Sequence, residues 1–257
     1  MKKRHYIISA LFACIFGTIN TYAQQTVNLK INHMLGNEFF SMGTTASNSL
    51  DNDFQVSRLE YYISDIELKG TDGSYTAIPD TNFEAYLESI NLGNGVVGDN
   101  LVNTELIEVL TELNVENKNI ADLTGIQDFT ALTSLNATNN VITSINLSNN
   151  VLLETLFISQ NQLTEIDLSK NINLKSVNLG NNQFTSLDLS KNINLESLNF
   201  ATNSITTIDF SSNTKLKNLY IGNNSLQNID VSMLADLTIL WCFNNDLTAL
   251  NTNNNPK

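Results

Sequence analysis

Apolar and polar positions from Leu132 onward recur every 21 residues. Six consecutive blocks begin at Leu132, Leu153, Leu174, Leu195, Leu216 and Leu237. They share the frame L-x-x-L-x-L-x-x-N-x-L-T-x-L-D-L-S-x-N-x-x. A looser unit, LTELNVENKNIADLTGIQDFTA, precedes them from Leu110. The triplet L-x-L places two side chains on one face of an extended strand. One such strand per block lets successive coils stack as a parallel sheet, at about 4.8 Å per step. Each block carries the triplet twice, once in each half. The pattern therefore predicts a flattened repeat solenoid, mostly β, with two parallel sheets of similar width.

The Asn that closes each first half turns the chain, and its amide can satisfy backbone groups inside the bend. Stacked coils line these residues up as a structural ladder of Asn140, Asn161, Asn182, Asn203, Asn224 and Asn245. A second series, Asn150, Asn171, Asn192, Asn213 and Asn255, is broken by Leu234. Six copies in register at a fixed period mark a repeat architecture. The frame resembles leucine-rich repeats, specifically the short nested type called IRREKO repeats, from roughly Leu110 to the end. Residues 110–257 are thus read as seven repeat units.

Residues 79–109 read as the N-terminal cap of that solenoid. PDTNFEAYLESI (Pro79–Ile90) predicts a helix, with Asp80 as N-cap and Phe83, Leu87 and Ile90 on one apolar face. A second short helix is expected over Thr104–Val109. The first coil needs such a cover because it otherwise exposes core and unpaired strand edges. Together, IPDTNFEAYL and the following LTELNVENKNIADLTGIQDFTAL resemble the entry of many secreted leucine-rich-repeat proteins of the Bacteroidetes. At the far end the last block keeps register to Leu250, and Thr252 then stands where an apolar residue is due. An uncapped or truncated last coil, weakly protected after about Leu237, is expected there.

Residues 1–23 read as a signal peptide. MKKR is a basic start, YIISALFACIFG is an apolar run too short to span a bilayer, and Thr21 and Ala23 are the small residues before a cut that leaves Gln24 first. The competing reading is lipoprotein processing at Cys14. Phe12 fits a lipobox poorly, and the apolar run continues past the Cys. No transmembrane segment is expected after cleavage. The chain is therefore expected to be secreted, or held at the cell surface of a Gram-negative bacterium.

Residues 24–78 differ in character from the repeats. TVNLKINH and SRLEYYISDIEL are strand-like, and GTDGSY is a hairpin-turn signal, so a small β segment is expected. His33, Gly36, Gly43, Phe54, Val56, LEYYISDIEL and the Asp72-Gly73 pair together resemble the opening of the MbnP-like family, over about 50 residues. That resemblance implies metal handling, copper above all, in the periplasm, with His33 as a candidate ligand. No second His or Cys stands near His33 in sequence, and a lone imidazole makes a poor metal site.

Charge narrows the partners. The chain has 13 Lys plus Arg against 26 Asp plus Glu, for a net charge of −13. Lys2, Lys3 and Arg4 leave with the signal peptide, which takes the basic count to 10 and the net charge to −16. Such a surface repels nucleic acid and anionic lipid headgroups. After cleavage only His33 and Cys242 remain of their kinds, so no intrachain disulfide can form and most nucleophile–base pairs are excluded. No enzyme and no cofactor is expected. Cys242 takes an inward position aligned with Leu179 and Phe200, which predicts a buried, inert thiol. GNGVVG (Gly93–Gly98) has dinucleotide-motif spacing but follows a helix, which predicts a plain loop. DND (Asp51–Asp53) begins like a calcium loop, yet Val56 stands where its turn glycine belongs.

Two rows on the repeats carry candidate chemistry. Asp167, Asp188, Asp209 and Asp230 take one outward position in four successive coils, as a solvated face or a row for divalent cations. On the opposite side the outward central positions are Asn136, Phe157, Asn178, Asn199, Tyr220 and Trp241. Two residues further along come Thr138, Ser159, Gly180, Ala201, Gly222 and Phe243. Aromatic rings beside amides and small residues suit sugar rings or an extended peptide. Ligand-binding residues expected on this basis are Trp241, Tyr220, Phe243, Phe157, Asn178 and Asn199; the alternative is that the rings pack under a missing C-terminal cap. The sequence therefore points to a non-catalytic surface module that binds protein or glycan. Alternatives are a periplasmic protein handling copper or another divalent cation, and a non-catalytic part of a larger surface adhesin.

Overall fold

The computed structural model describes residues 74–255 and four short strands upstream of them. The chain divides into two compact units, Met1–Glu67 and Leu68–Lys257. In the first unit, β1 (Met34–Leu35) pairs antiparallel with β2 (Glu38–Phe39), and β3 (Thr45–Ser47) pairs antiparallel with β4 (Asp53–Gln55). The signal peptide, the strands expected at 26–33 and 57–68, the turn at 70–73 and His33 lie outside the described residues.

The second unit opens with its cap. β5 (Tyr75–Ala77) pairs antiparallel with β6 (Leu101–Asn103), and helix α1 (Thr81–Ser89) lies between them in sequence. Asp80 caps α1 as the sequence predicts: its Oδ1 accepts from the Asn82 and Phe83 N–H groups at 2.9 and 3.0 Å. Its Oδ2 accepts from Ala121 and Asp122 at 2.7 and 3.0 Å, so one carboxylate ties the cap to the first coil. Phe83 and Leu87 are buried, and the Phe83 ring stacks on Phe129 at 6.1 Å. Ile90, expected on that apolar face, is instead the C-cap residue, where the chain leaves the helix, and is 40% exposed. The second short helix, α2, covers Thr104–Ile107.

The repeats form one seven-stranded parallel sheet. Its strands are β7 (Glu112–Asn114), β8 (Ser134–Asn136), β9 (Thr155–Phe157), β10 (Ser176–Asn178), β11 (Ser197–Asn199), β12 (Asn218–Tyr220) and β13 (Ile239–Trp241), each beside its sequence neighbour. The register steps by one block, Val177 opposite Leu198 and Asn178 opposite Asn199. Hydrogen bonds between coils continue past the strand ends: Leu179 N–H donates to Asn199 O at 2.8 Å, and Asn181 N–H to Ala201 O at 2.9 Å. Leu174, Val177, Leu179, Phe184 and Leu189 of one coil are all buried, and their counterparts stack above and below them in a continuous core.

The mostly β solenoid and its helical cap match the expected fold, but the second parallel sheet does not form. Among the described residues the side bearing Asp167, Asp188 and Asp209 has neither strands nor helices. Its backbone groups bond within their own coil. Ser169 N–H donates to Asp167 Oδ1 at 2.8 Å, Asn171 N–H to Leu168 O at 3.0 Å, and Leu174 N–H to Asn171 O at 3.2 Å. Such local turns compete with a ladder for the same donors and acceptors. A buried side chain makes the link between coils here instead: Asn171 Nδ2 donates to Leu147 O at 3.1 Å and Asn150 O at 2.9 Å. The second L-x-L is also less buried than the first. Leu189 is in the core, whereas Leu187 is half-buried.

The turn after each strand rests on two adjacent residues. The first has positive φ, between 50° and 58°, at Asn139, Gln160, Asn181, Thr202, Asn223 and Asn244. The second is the ladder Asn. Asn161 shows its bonding. Nδ2 donates to Ala137 O of the preceding coil at 2.9 Å and to its own Ile158 and Ser159 carbonyls at 3.1 Å. Its Oδ1 accepts from Ile142 N–H at 3.0 Å. Asn140, Asn182, Asn203, Asn224 and Asn245 donate in the same way.

Candidate ligand-binding face

The outward residues of the sheet make one continuous surface. Parallel pairing sets Asn136, Phe157, Asn178, Asn199, Tyr220 and Trp241 in a row, each the register partner of the next. At one end the Tyr220 and Trp241 rings meet edge to face, with centroids 5.1 Å apart. Trp241 is 57% exposed and Phe243 53% exposed. The Phe243 ring lies over Gly222, where a Cβ would come within 3.0 Å of its Cε1 and Cζ atoms. Gly222 is therefore the small floor that lets the ring lie flat. Trp241, Phe243, Leu240 and Cys242 line one shallow depression. Phe157 is apart from this cluster, three strand steps from Tyr220, or about 14 Å.

Asn178 and Asn199 occupy the gap. Asn178 Oδ1 accepts from Gly180 N–H at 3.1 Å, and Asn199 Oδ1 accepts from Ala201 N–H at 3.1 Å. These bonds fix both amide planes. Among the described residues nothing accepts from their Nδ2 groups. Asn136 differs, because its Nδ2 donates to Glu116 at 3.2 Å. The face thus carries two oriented, unused donors between aromatic rings.

The Asp row has a different use. Asp167, Asp188, Asp209 and Asp230 are exposed, and each accepts from the backbone N–H of the Ser two residues on, at 2.8–2.9 Å. For Asp167 and Asp230 the Ser hydroxyl is the leading cause that holds the carboxyl below its ordinary range, with the Ser N–H second. For Asp188 the N–H of Ser190 leads. Each carboxylate is thereby committed to its own turn. Among the described residues no three of His, Cys, Asp and Glu gather to hold a metal ion.

The Gly93–Gly98 stretch is a loop, as its position after a helix predicts. Two carboxylates from α1 already occupy its amides: Glu88 Oε1 accepts from Asn94 N–H at 2.7 Å, and Glu84 Oε1 from Gly98 N–H at 2.8 Å. Phosphate has no free amide cradle at those positions. Cys242 is half-buried rather than buried, because the described residues place no further coil over it. Burial still pushes its thiol pKa up, against reactivity.

Two features escaped the sequence reading. The unused Nδ2 donors of Asn178 and Asn199 depend on the Asx bonds, which their N-x-G and N-x-A contexts permit but do not announce. Val151, Ile172 and Ile193, with Leu152, form an exposed aliphatic row at the turn before the strands. Their recurrence at one unassigned frame position was the available signal.

Comparison with solved structures places the fold. A leucine-rich-repeat protein from Leptospira interrogans is 22% identical, with a TM-score of 0.54, over 56% of this chain and 40% of that one. Internalin C2 from Listeria monocytogenes is 21% identical, with a TM-score of 0.52, over 70% of this chain and 91% of that one. The functional domain of InlJ from Listeria monocytogenes, which includes a cysteine ladder, is 25% identical, with a TM-score of 0.46, over 71% of this chain and 50% of that one. The chain thus spans half or less of the length of two of these three. Comparison with the curated proteins found no match. The repeats form a leucine-rich-repeat solenoid, and residues 24–151, just under half of the chain and well beyond the first 78 residues, match the model of the MbnP family.

Proposed function

We propose that the chain is a non-catalytic binding module, secreted or displayed at the cell surface, that holds a protein or glycan ligand against the outward face of its parallel sheet. One observation carries this reading: the exposed Trp241 and Phe243 stand beside Tyr220 on a regular sheet whose other outward residues are mostly small or polar. Exposed aromatic clusters of this kind concentrate binding energy. The module acts alone or as part of a larger surface adhesin. A glycan-array and pull-down screen of residues 24–257 tests the reading. Ligand affinity should fall far more in Trp241→Ala than in Asp188→Ala. Dominance of Asp188 and its row, together with a need for a divalent ion, moves the site to the acidic side.

A second reading, metal handling, is favoured by the MbnP match over residues 24–151. Its sequence candidate is His33. Metal analysis of purified chain, before and after His33→Ala, separates the two readings: stoichiometric metal lost with His33 supports handling, and none removes it.

A further inference from the structure

We infer that the sheet face binds an uncharged linear glycan, laid across the strands so that successive sugars meet successive coils. The inference rests on the binding-face reading and names its ligand class. Its first support is charge. The eighteen outward residues at the three sheet-facing positions of the six in-register coils, from Ser134 to Phe243, include no charged side chain, in a chain with 26 acidic and 13 basic residues. The charged row beside them is largely self-neutralised. Glu154, Lys175, Glu196 and Lys217 alternate in sign, with Lys175 on Glu154 at 2.7 Å and Lys217 on Glu196 at 2.6 Å. The other flank is Asn139, Gln160, Asn181, Thr202, Asn223 and Asn244, all uncharged. Charge appears only in the looser first coil, at Glu112 and Glu116, which bounds one end of the lane. A charged polymer finds no complement on this lane, while a neutral one covers it without burying an unpaired charge.

The second support is the kind and spacing of the contacts. Sugars present hydroxyl acceptors and flat C–H faces. Asn178 and Asn199 offer oriented Nδ2 donors, and Phe157, Tyr220 and Trp241 offer rings on both sides of them. Adjacent coils lie one strand spacing apart, about 4.8 Å, close to the advance per sugar of an extended pyranose chain. Five sugars then reach from Phe157 to Trp241 with the donors beneath the middle. Because the Oδ1 atoms are already bonded, neither amide needs to be ordered when ligand binds.

The test is native electrophoresis of the full chain through gels that contain hydroxyethylcellulose, glucomannan or arabinoxylan, against a polygalacturonate gel. A peptide array runs in parallel. At least one neutral polysaccharide should retard the chain, with little change between about 50 and 500 mM salt. Trp241→Ala should weaken retardation about tenfold or more. The Asn178→Ala, Asn199→Ala double variant should weaken it severalfold, with melting temperature as the control for folding. Absence of retardation by every neutral polysaccharide, or preference for polygalacturonate, overturns the inference. Peptide binding that depends on Trp241, with no glycan retained, also overturns the glycan assignment but leaves the binding face standing. Glycan retention unchanged in Trp241→Ala and in the double variant removes the face itself.

Discussion

The Tyr220 and Trp241 rings, one coil apart, meet edge to face with centroids 5.1 Å apart. Parallel register alone makes them neighbours, since Tyr220 pairs with Trp241 across β12 and β13. Such a pair contributes about 0.5–1.5 kcal/mol beyond its buried area. A double-mutant cycle of Tyr220→Ala and Trp241→Ala, followed by chemical denaturation, should give a coupling within that range. Additive single effects would show that the rings do not meet in solution.

The two halves of a repeat should respond differently to the same charge. Leu189 is in the core, whereas Leu187, two residues earlier, is half-buried. Leu189→Asp buries an unpaired carboxylate and should cost about 3 kcal/mol or more. Leu187→Asp should cost clearly less. Melting curves of both variants check the difference, and an unchanged Leu189→Asp curve would contradict the register.

Asn192 is fully buried and bridges coils, with Nδ2 donating to Leu168 O and Asn171 O, both at 3.0 Å. Asn192→Ala removes both of these bonds between coils, while each carbonyl keeps its own backbone donor, and should cost about 1–3 kcal/mol. Leu234 shows that one coil survives without this amide, so the variant should still fold. Urea denaturation would read the loss as a lower midpoint with an unchanged slope.

Thr202 holds φ at 58°, a conformation that strains a β-branched residue. The same place in other coils is taken by Asn139, Asn181, Asn223 and Asn244. Thr202 is exposed, so little packing is lost on replacement. Thr202→Asn should raise stability by about 0.5–1 kcal/mol. A lower melting temperature for the variant would point to a contact of Thr202 that outweighs the strain.

Acid should weaken the turns that follow the Asp row. The carboxyls of Asp167, Asp188 and Asp230 are held below their ordinary range by bonds from Ser169, Ser190 and Ser232. A group depressed on folding stabilises the fold above its unfolded pKa and loses that contribution as pH falls through the folded value. Their contribution should therefore be fully present at neutral pH and fade below about pH 4. Asn keeps the acceptor without titrating, as Asn146 does with Ser148 N–H at 3.0 Å. The triple Asp→Asn variant should show a smaller drop in melting temperature between pH 7 and pH 3 than the parent chain. An equal drop would assign the acid sensitivity to other groups.

The 21-residue period by itself determined the coil, its inward residues and the parallel register. Asp80 before an apolar helical face likewise announced the cap. These features are local and repeated, and hydrophobic burial forces an in-register stack once one coil closes. The backbone on the Asp side was settled only in three dimensions. Leu187 and Leu189 spell the same triplet as the strand side, yet Asp188 and Asn192 divert the backbone into turns, and the buried amide carries the bond between coils. Alternation reports which side chains face inward; it does not report which acceptor wins each backbone N–H. The exposure of Cys242, Trp241 and Phe243 and the unused donors of Asn178 and Asn199 were decided by tertiary structure for the same reason. Each depends on what the neighbouring coil covers, and a 21-residue frame describes every coil as though it had identical neighbours.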